Sequence, residues 1–193
     1  MNLPNKLTVL RVLMIPIFVV FMITPLAEGN GKYIALALFC VASLTDMLDG
    51  QIARKYNLVT NFGKFADPLA DKLLVSAALI GLCALGKLGS STVIGAWAAF
   101  VIIAREFIVT GIRLVAAAEG KVIAAGMSGK IKTTVQMVTI VYILFSNVLI
   151  TLGLSSVVSS VITDILVVSS VIMTVYSGAE YIVANKSLLN TNK

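Results

Sequence analysis

Almost every stretch between the polar connections of this chain is apolar over nearly the ~20 residues a helix needs to cross a bilayer. VLMIPIFVVFMI, YIALALFCVASL and LLVSAALIGLCAL are the first three such stretches, and the pattern persists towards the C-terminus. Charged residues make up only 12% of the chain and mean hydropathy is +1.00, whereas a soluble domain carries about 25% charged residues. The 193 residues therefore read as one domain, 1–193, an all-α integral membrane protein built as a six-transmembrane-helix bundle. The expected spans are about 9–26, 32–54, 67–86, 91–118, 131–152 and 157–183. MNLPNKLTVLR carries no small-residue cleavage pattern beyond it and reads as a retained segment, with residues 3–7 forming a short interfacial piece.

Charge sets the orientation. With the N-terminus in the cytoplasm, Lys6, Arg11, Arg54, Lys55, Lys64, Lys72, Lys121, Lys130, Lys132, Lys186 and Lys193 lie at or near that side. Only Lys32 and Lys87 fall on the other side, while Arg105 and Arg113 are left inside the fourth span. The positive-inside rule thus places both termini in the cytoplasm, in a multi-pass protein of the cell membrane. The net charge of +6 suits anionic lipid headgroups. Nucleic acid is excluded as a partner, because the basic residues are confined to one membrane face. Cys40 and Cys83 sit in separate apolar spans and read as small buried hydrophobes. With no histidine in the chain, proton transfer falls to a carboxylate, a lysine, a tyrosine or water.

One region breaks the apolar pattern. TDMLDGQIARKYNLVTNFGKFADPLAD, residues 45–71, holds Asp46, Asp49, Asp67 and Asp71, four of the nine acidic residues of the chain. On a helix Asp46, Asp49, Gly50 and Ala53 share one stripe, and Asp67 and Asp71 lie one turn apart on the next helix. An antiparallel hairpin of the two would turn the carboxylates towards each other at the cytoplasmic side. Gly50 and Ala53, with Gly63 at the entry to the second helix, leave room for a backbone or ligand to approach. A charge at bilayer depth costs on the order of 3 kcal/mol, and like charges add repulsion. Divalent cations relieve both, and an oxygen-only donor set favours a hard ion: Mg2+ first, with Mn2+ or Ca2+ as alternatives. Two other readings stay open on spacing alone: a proton or ion pathway, and ordinary interfacial charges with Asp67 capping a helix ahead of Pro68.

The full pattern Asp46-x-x-Asp49-Gly50-x-x-Ala53-Arg54, eight residues, then Gly63-x-x-x-Asp67-x-x-x-Asp71 resembles the signature of the CDP-alcohol phosphatidyltransferases at all eight fixed positions. Pro4-Asn5-x-x-Thr8-x-x-Arg11 resembles the start of many members. The resemblance implies transfer of a phosphatidyl group from CDP-diacylglycerol to an alcohol, with release of CMP. It implies a two-metal site on Asp46, Asp49, Asp67 and Asp71, with Asp71 also the general base. It further implies that Gly50, Ala53 and Gly63 line the cytidine site and that Arg54 lies near the diphosphate. Asn5 and Thr8 are candidate nucleotide contacts. Such chemistry needs no histidine, since two metals would neutralise charge on the leaving CMP.

The fourth span and the connection after it, AREFIVTGIRLVAAAEGKVIAAGMSGKIKT, bear on the acceptor. Arg105 and Glu106 interrupt an apolar helix, where charges need partners or a function. Glu106 and Arg113 are seven residues apart and share a face, and Lys130 and Lys132 open the next span from the same side. Convergence of Arg105, Arg113, Lys130 and Lys132 would suit an acceptor that carries its own phosphate. An Arg105–Glu106 structural ion pair, with the two lysines serving orientation only, is the blander alternative. R-E-x-x-x-x-x-x-R followed by G-K-x-K-T resembles the bacterial members that make phosphatidylglycerophosphate, so the expected acceptor is sn-glycerol 3-phosphate. An inositol phosphate would want the same cations, and only the resemblance separates the two.

Small residues around Trp97, in residues 95–100, suit a homodimer contact. Glu180 and Tyr181 read as interfacial anchors, and Asp164 has no partner evident in the sequence. A cation transporter is the rival from another class, and it predicts charges spread through the membrane depth rather than gathered near one face.

Overall fold

The structure is a computed structural model that describes residues 3–24, 30–55, 61–118, 123 and 126–186; the side chains of 3, 4, 47–66 and 118 are outside the description. Six helices account for nearly all of it: α1 Leu3–Ile23, α2 Gly31–Lys55, α3 Asn61–Ala84, α4 Thr92–Ala118, α5 Met127–Thr151 and α6 Ser156–Ala184. Among the described residues there is no strand. Four segments are long and apolar enough to cross a membrane: Asn5–Ile23, Thr92–Ala117, Met127–Thr151 and Ser156–Ala184. α2 and α3 have comparable lengths, 25 and 24 residues, but carry the acidic region.

Two boundaries differ from the sequence reading. Residues 3–7 form no separate surface piece; they are the first turns of α1, where Pro4 is tolerated because first-turn N–H groups have no intrahelical acceptor. Asn5, Thr8 and Arg11 follow at three-residue spacing, and all three are buried, which draws this end into the bundle. α3 starts at Asn61 rather than near Asp67, so Pro68 lies inside the helix and Asp67 does not cap it. The Asp67 carboxylate is engaged by another helix instead of by its own backbone.

The polarity of the bundle is inverted relative to a soluble protein. Large apolar side chains cover the outside, among them Trp97, Ile165, Ile172 and Leu152, while Ser159, Ser170, Thr174 and Ser177 are buried. α6 shows the division along one helix, with Val157, Val161, Ile165, Val168, Ile172 and Val175 outward. Its small polar stripe faces the bundle, where the Thr139 and Ser170 hydroxyls lie 2.8 Å apart. Lipid satisfies apolar surface as well as a core does, so close helix contact favours small side chains and polar groups that find partners inside.

α1 packs on α2 and α3, α5 on α6, and α4 on α6 and α3, with α2 reaching α5. The shared apolar core runs through Phe18, Phe39, Ala78, Leu82, Ile102 and Ile140, with the Phe18 and Phe39 rings 5.8 Å apart. Between α3 and α4 the buried Leu88 plugs one end; a Cβ on Gly95 would come within 2.2 Å of its carbonyl oxygen, so only glycine lets the two meet. Beside it, Lys87 Nζ donates to Asn147 Oδ1 of α5 at 2.9 Å. Burial, with the Lys32 ammonium next in importance, holds the Lys87 amine below the usual lysine range. Cys40 and Cys83 are free thiols, only half-buried.

Candidate active site: a carboxylate seam beside a cationic cavity

The opening turns of α1 act as a clamp on the acidic helices. Thr8 Oγ1 donates to Asp67 Oδ1 at 2.5 Å, and Arg11 Nη1 donates to Asp46 Oδ1. Arg11 is wholly buried while the Asp46 side chain keeps 37% of its exposure, so this ion pair opens towards a solvent-accessible edge. The Asn5-x-x-Thr8-x-x-Arg11 spacing puts the three polar groups on one face, and that face turns towards α2 and α3. Asp71, one turn after Asp67, feels the charges of Asp46, Lys72, Glu106 and Lys132. The structure thus brings Asp46, Asp67 and Asp71 into one neighbourhood between α1, α2 and α3. Asp49, Gly50, Ala53, Arg54 and Gly63 lie outside the described residues as far as their side chains are concerned. Among the described residues no three acidic side chains form a ready metal cage.

A second charged centre lies across α3 from the first. Glu106 of α4 accepts a hydrogen bond from Lys132 Nζ of α5 and another from Arg105 Nη1 at 3.1 Å. Lys72 Nζ of α3 stands 3.8 Å from its other oxygen. Arg105 also donates through Nη2 to Ser177 Oγ of α6 at 3.0 Å. One carboxylate therefore gathers cations from three helices, and through Arg105 reaches a fourth. A buried charge of this kind is tolerable only with such partners. Gly178 lets Arg105 lie close against α6, because a Cβ there would sit 3.0 Å from Arg105 Cγ and displace it by a few tenths of an ångström.

Between the two centres opens a cavity of about 560 Å3, lined by Asp71, Lys72, Arg105, Glu106, Arg113 and Lys130, with Thr110, Thr133 and Thr134 among the polar wall. Three of the four cations expected to converge, Arg105, Arg113 and Lys130, do line it. Lys132 does not; it is 3% exposed and bound to Glu106. Arg113 lies with its guanidinium carbon 5.4 Å from the Tyr181 ring centre, a cation–π contact. Tyr181 is accordingly buried, not an anchor at the membrane surface.

Sequence reasoning passes over Lys72, which serves there only to set orientation, and over the clamp role of Arg11. It also misses Ser177 and Gly178. Lys72 has a signal: it follows Asp71 directly, on a helix already assigned to the site. Ser177 has none, since nothing in α6 sets one serine apart from the others.

Comparison with known proteins gives the family. The family model for CDP-alcohol phosphatidyltransferase matches residues 1–178. The chain is similar to the CDP-diacylglycerol–glycerol-3-phosphate 3-phosphatidyltransferase of Bacillus subtilis, with 46% identity covering 99% of this chain and 98% of that one. A probable phosphatidylglycerophosphate synthase of Mycobacterium tuberculosis is 38% identical over 94% of this chain and 80% of its own length. The Rickettsia typhi CDP-diacylglycerol–glycerol-3-phosphate 3-phosphatidyltransferase is 33% identical over 96% of this chain and 98% of that one. With the family model running from the clamp on α1 to the glycine that seats Arg105 on α6, the chain belongs to the CDP-alcohol phosphatidyltransferase family.

Proposed function

We propose that this protein transfers the phosphatidyl group of CDP-diacylglycerol to sn-glycerol 3-phosphate, forming phosphatidylglycerophosphate and CMP in phospholipid biosynthesis. The observation that carries the reading is the cavity of about 560 Å3 in which Arg105, Arg113, Lys130 and Lys72 face the same space as Asp71. An acceptor with its own phosphate would find forked donors and mobile ammonium groups there, with its hydroxyl turned to a carboxylate. The names of the similar proteins point to the same acceptor.

In this reading the acceptor hydroxyl attacks the phosphorus that bears diacylglycerol. The bond from that phosphorus to the CMP oxygen breaks, and Asp71 takes the hydroxyl proton. Among the described residues no donor hydrogen-bonds Asp71, which leaves its oxygens available for this role. Glycines and alanine at 50, 53 and 63 would line the cytidine site, with Arg54 at the diphosphate and Asn5 and Thr8 at its margin.

The carboxylates of Asp46, Asp67 and Asp71 offer only oxygen donors, which fits a hard divalent cation, and Asp49 would complete the set. When bound, two Mg2+ ions, or Mn2+ in their place, would neutralise the charge on departing CMP. Arg11 and Thr8 keep the Asp46 and Asp67 side chains oriented. All six helices would then span the cell membrane, with both termini and the active site in the cytoplasm and α4 offering Trp97 and Phe100 to a second copy.

The test is CMP release from CDP-diacylglycerol by purified protein with Mg2+, run in parallel with glycerol 3-phosphate, inositol phosphate, inositol, serine and phosphatidylglycerol. Release with glycerol 3-phosphate alone, abolished by EDTA, is the expected outcome. Release with another acceptor instead would overturn the acceptor assignment, and release with none would return the carboxylates to an ion-pathway role.

A further inference from the structure

α4 contributes Arg105, Glu106, Val109, Thr110 and Arg113 to the wall of the large cavity. Glu106, Thr110 and Arg113 follow at four- and three-residue spacing, so a carboxylate, a hydroxyl and a guanidinium stand in one row along the helix. The reaction proposed above gives the charged members of the row a part and gives the hydroxyl none.

The state of that hydroxyl is specific. Thr110 Oγ1 donates to the backbone carbonyl of Glu106 at 2.7 Å, which commits its proton and leaves lone pairs to receive another. No other hydrogen bond reaches this oxygen among the described residues. The neighbouring carboxylates are engaged: Glu106 already holds Lys132 and Arg105, and Asp71 has the reacting hydroxyl to serve. A substrate hydroxyl that does not react needs a different oxygen for its proton, since a buried donor left without one is costly.

Among the described lining residues the uncharged side-chain oxygens are those of Thr110, Thr133 and Thr134. All three donate to the carbonyl four residues earlier. Thr133 and Thr134 are exposed, whereas Thr110 is half-buried, and a hydrogen bond gains strength where the surroundings are less polar. Thr110 also has the better spacing. It stands about 4.5 Å from Arg113 along the helix axis, at about 1.5 Å per residue. In a glycerol phosphate the middle hydroxyl sits on the carbon next to the one that carries the phosphate, so the two groups are separated by a comparable length.

We propose that Thr110 determines the specificity for the phosphatidyl acceptor, its oxygen receiving the proton of the polyol hydroxyl that does not react. This role rests on the reaction proposed above and adds a third point of attachment to it. Arg113 takes the phosphate, Asp71 the terminal hydroxyl and Thr110 the middle one. Three fixed points distinguish a chiral molecule from its mirror image, which two cannot do.

The test measures CMP release with sn-glycerol 3-phosphate, with its mirror image sn-glycerol 1-phosphate, and with 3-hydroxypropyl phosphate, which lacks the middle hydroxyl. The wild type should favour the first over the third by about tenfold in kcat/KM, the scale of one neutral hydrogen bond. Thr110→Val keeps the branched shape and removes the oxygen. It should bring that ratio to about two or below and relax the preference over the mirror image, with the KM for CDP-diacylglycerol and the melting temperature close to wild type. Thr110→Ser returns the hydroxyl without the methyl group and should restore the ratio, which a packing role would not do. A Thr110→Val enzyme with the wild-type ratio overturns the proposal and leaves the reaction standing, as does a wild type that uses the first and third compounds equally. A wild type that releases no CMP with any of the three overturns the reaction itself, and the role of Thr110 with it.

Discussion

The carboxylate seam between α1, α2 and α3 and the Glu106 centre between α3, α4, α5 and α6 solve opposite charge problems. In the seam, Asp46, Asp67 and Asp71 share a neighbourhood in which α1 supplies one guanidinium and one hydroxyl. At Glu106 a single carboxylate is surrounded by Lys132, Arg105 and Lys72. Among the described side chains the first region carries a surplus of carboxylates and the second a surplus of cations, which the proposed metal ions and anionic acceptor would take up. Lys72 and Lys132 act electrostatically on both Asp71 and Glu106, so the two centres share cations across α3. A surplus of each sign a few side chains apart suits the proposed reaction, which breaks a lipid-linked diphosphate and passes its phosphatidyl group to a phosphorylated alcohol.

The contrast can be broken most sharply at Asp71. Asp71→Asn keeps the shape and removes the proton acceptor, so turnover should fall by about 10²–10⁴-fold with the fold and CDP-diacylglycerol binding retained. CMP release at the wild-type rate would remove Asp71 as base.

At the other centre the expected loss is in stability. Glu106→Gln leaves Lys132, Arg105 and Lys72 without their shared anion, at a cost of about 3–5 kcal/mol. Thermal unfolding in detergent should show it, and adding Lys132→Met should restore part of the loss. If the single variant melts with the wild type, Glu106 is not what holds these cations together. Asp46→Asn should lose activity and also melt below the wild type, because it leaves the wholly buried Arg11 beside a neutral amide.

A finer test separates the two substrates. Arg113→Ala should raise the KM for glycerol 3-phosphate about tenfold, roughly the 1.5 kcal/mol lower bound of a charged hydrogen bond, and leave that for CDP-diacylglycerol near its original value. Equal effects on both would argue that Arg113 serves the whole site rather than the acceptor. The smallest change is Gly178→Ala, whose Cβ would press Arg105 Cγ from 3.0 Å. A shift of a few tenths of an ångström should raise the acceptor KM two- to threefold; a change in the CDP-diacylglycerol KM instead would show that Arg105 serves the other substrate.

Of the two regions, the acidic seam is the more legible in the sequence. Asp46 and Asp49 three residues apart, and Asp67 and Asp71 four apart, fix which face each helix presents, because helical periodicity is local. The Glu106 centre is only half legible. The i to i+7 relation between Glu106 and Arg113 is readable, but the choice of Lys132 over Lys130 as the buried partner is not. Both lysines open the same helix, and only the packing of α5 decides which one turns inward. Likewise the sequence reading places the start of α3 about two turns too late. Pro68 reads as a helix start from local preference, whereas the helix forms through it with Asp67 tied to Thr8.

The sequence by itself determined that this chain reads as a helical membrane protein and that four of its nine acidic residues gather on two successive helices. Those properties follow from composition and from spacing along single helices. Tertiary structure decided what each charge meets: Thr8 and Arg11 on the carboxylates, Lys72 and Lys132 on Glu106, Arg105 against Ser177 and Gly178, and Arg113 over Tyr181. Each of these pairings joins residues at least 26 positions apart, on different helices. Their choice depends on how helices rotate and press together in lipid, where small residues such as Gly178 set the distance of approach and no local pattern records the result.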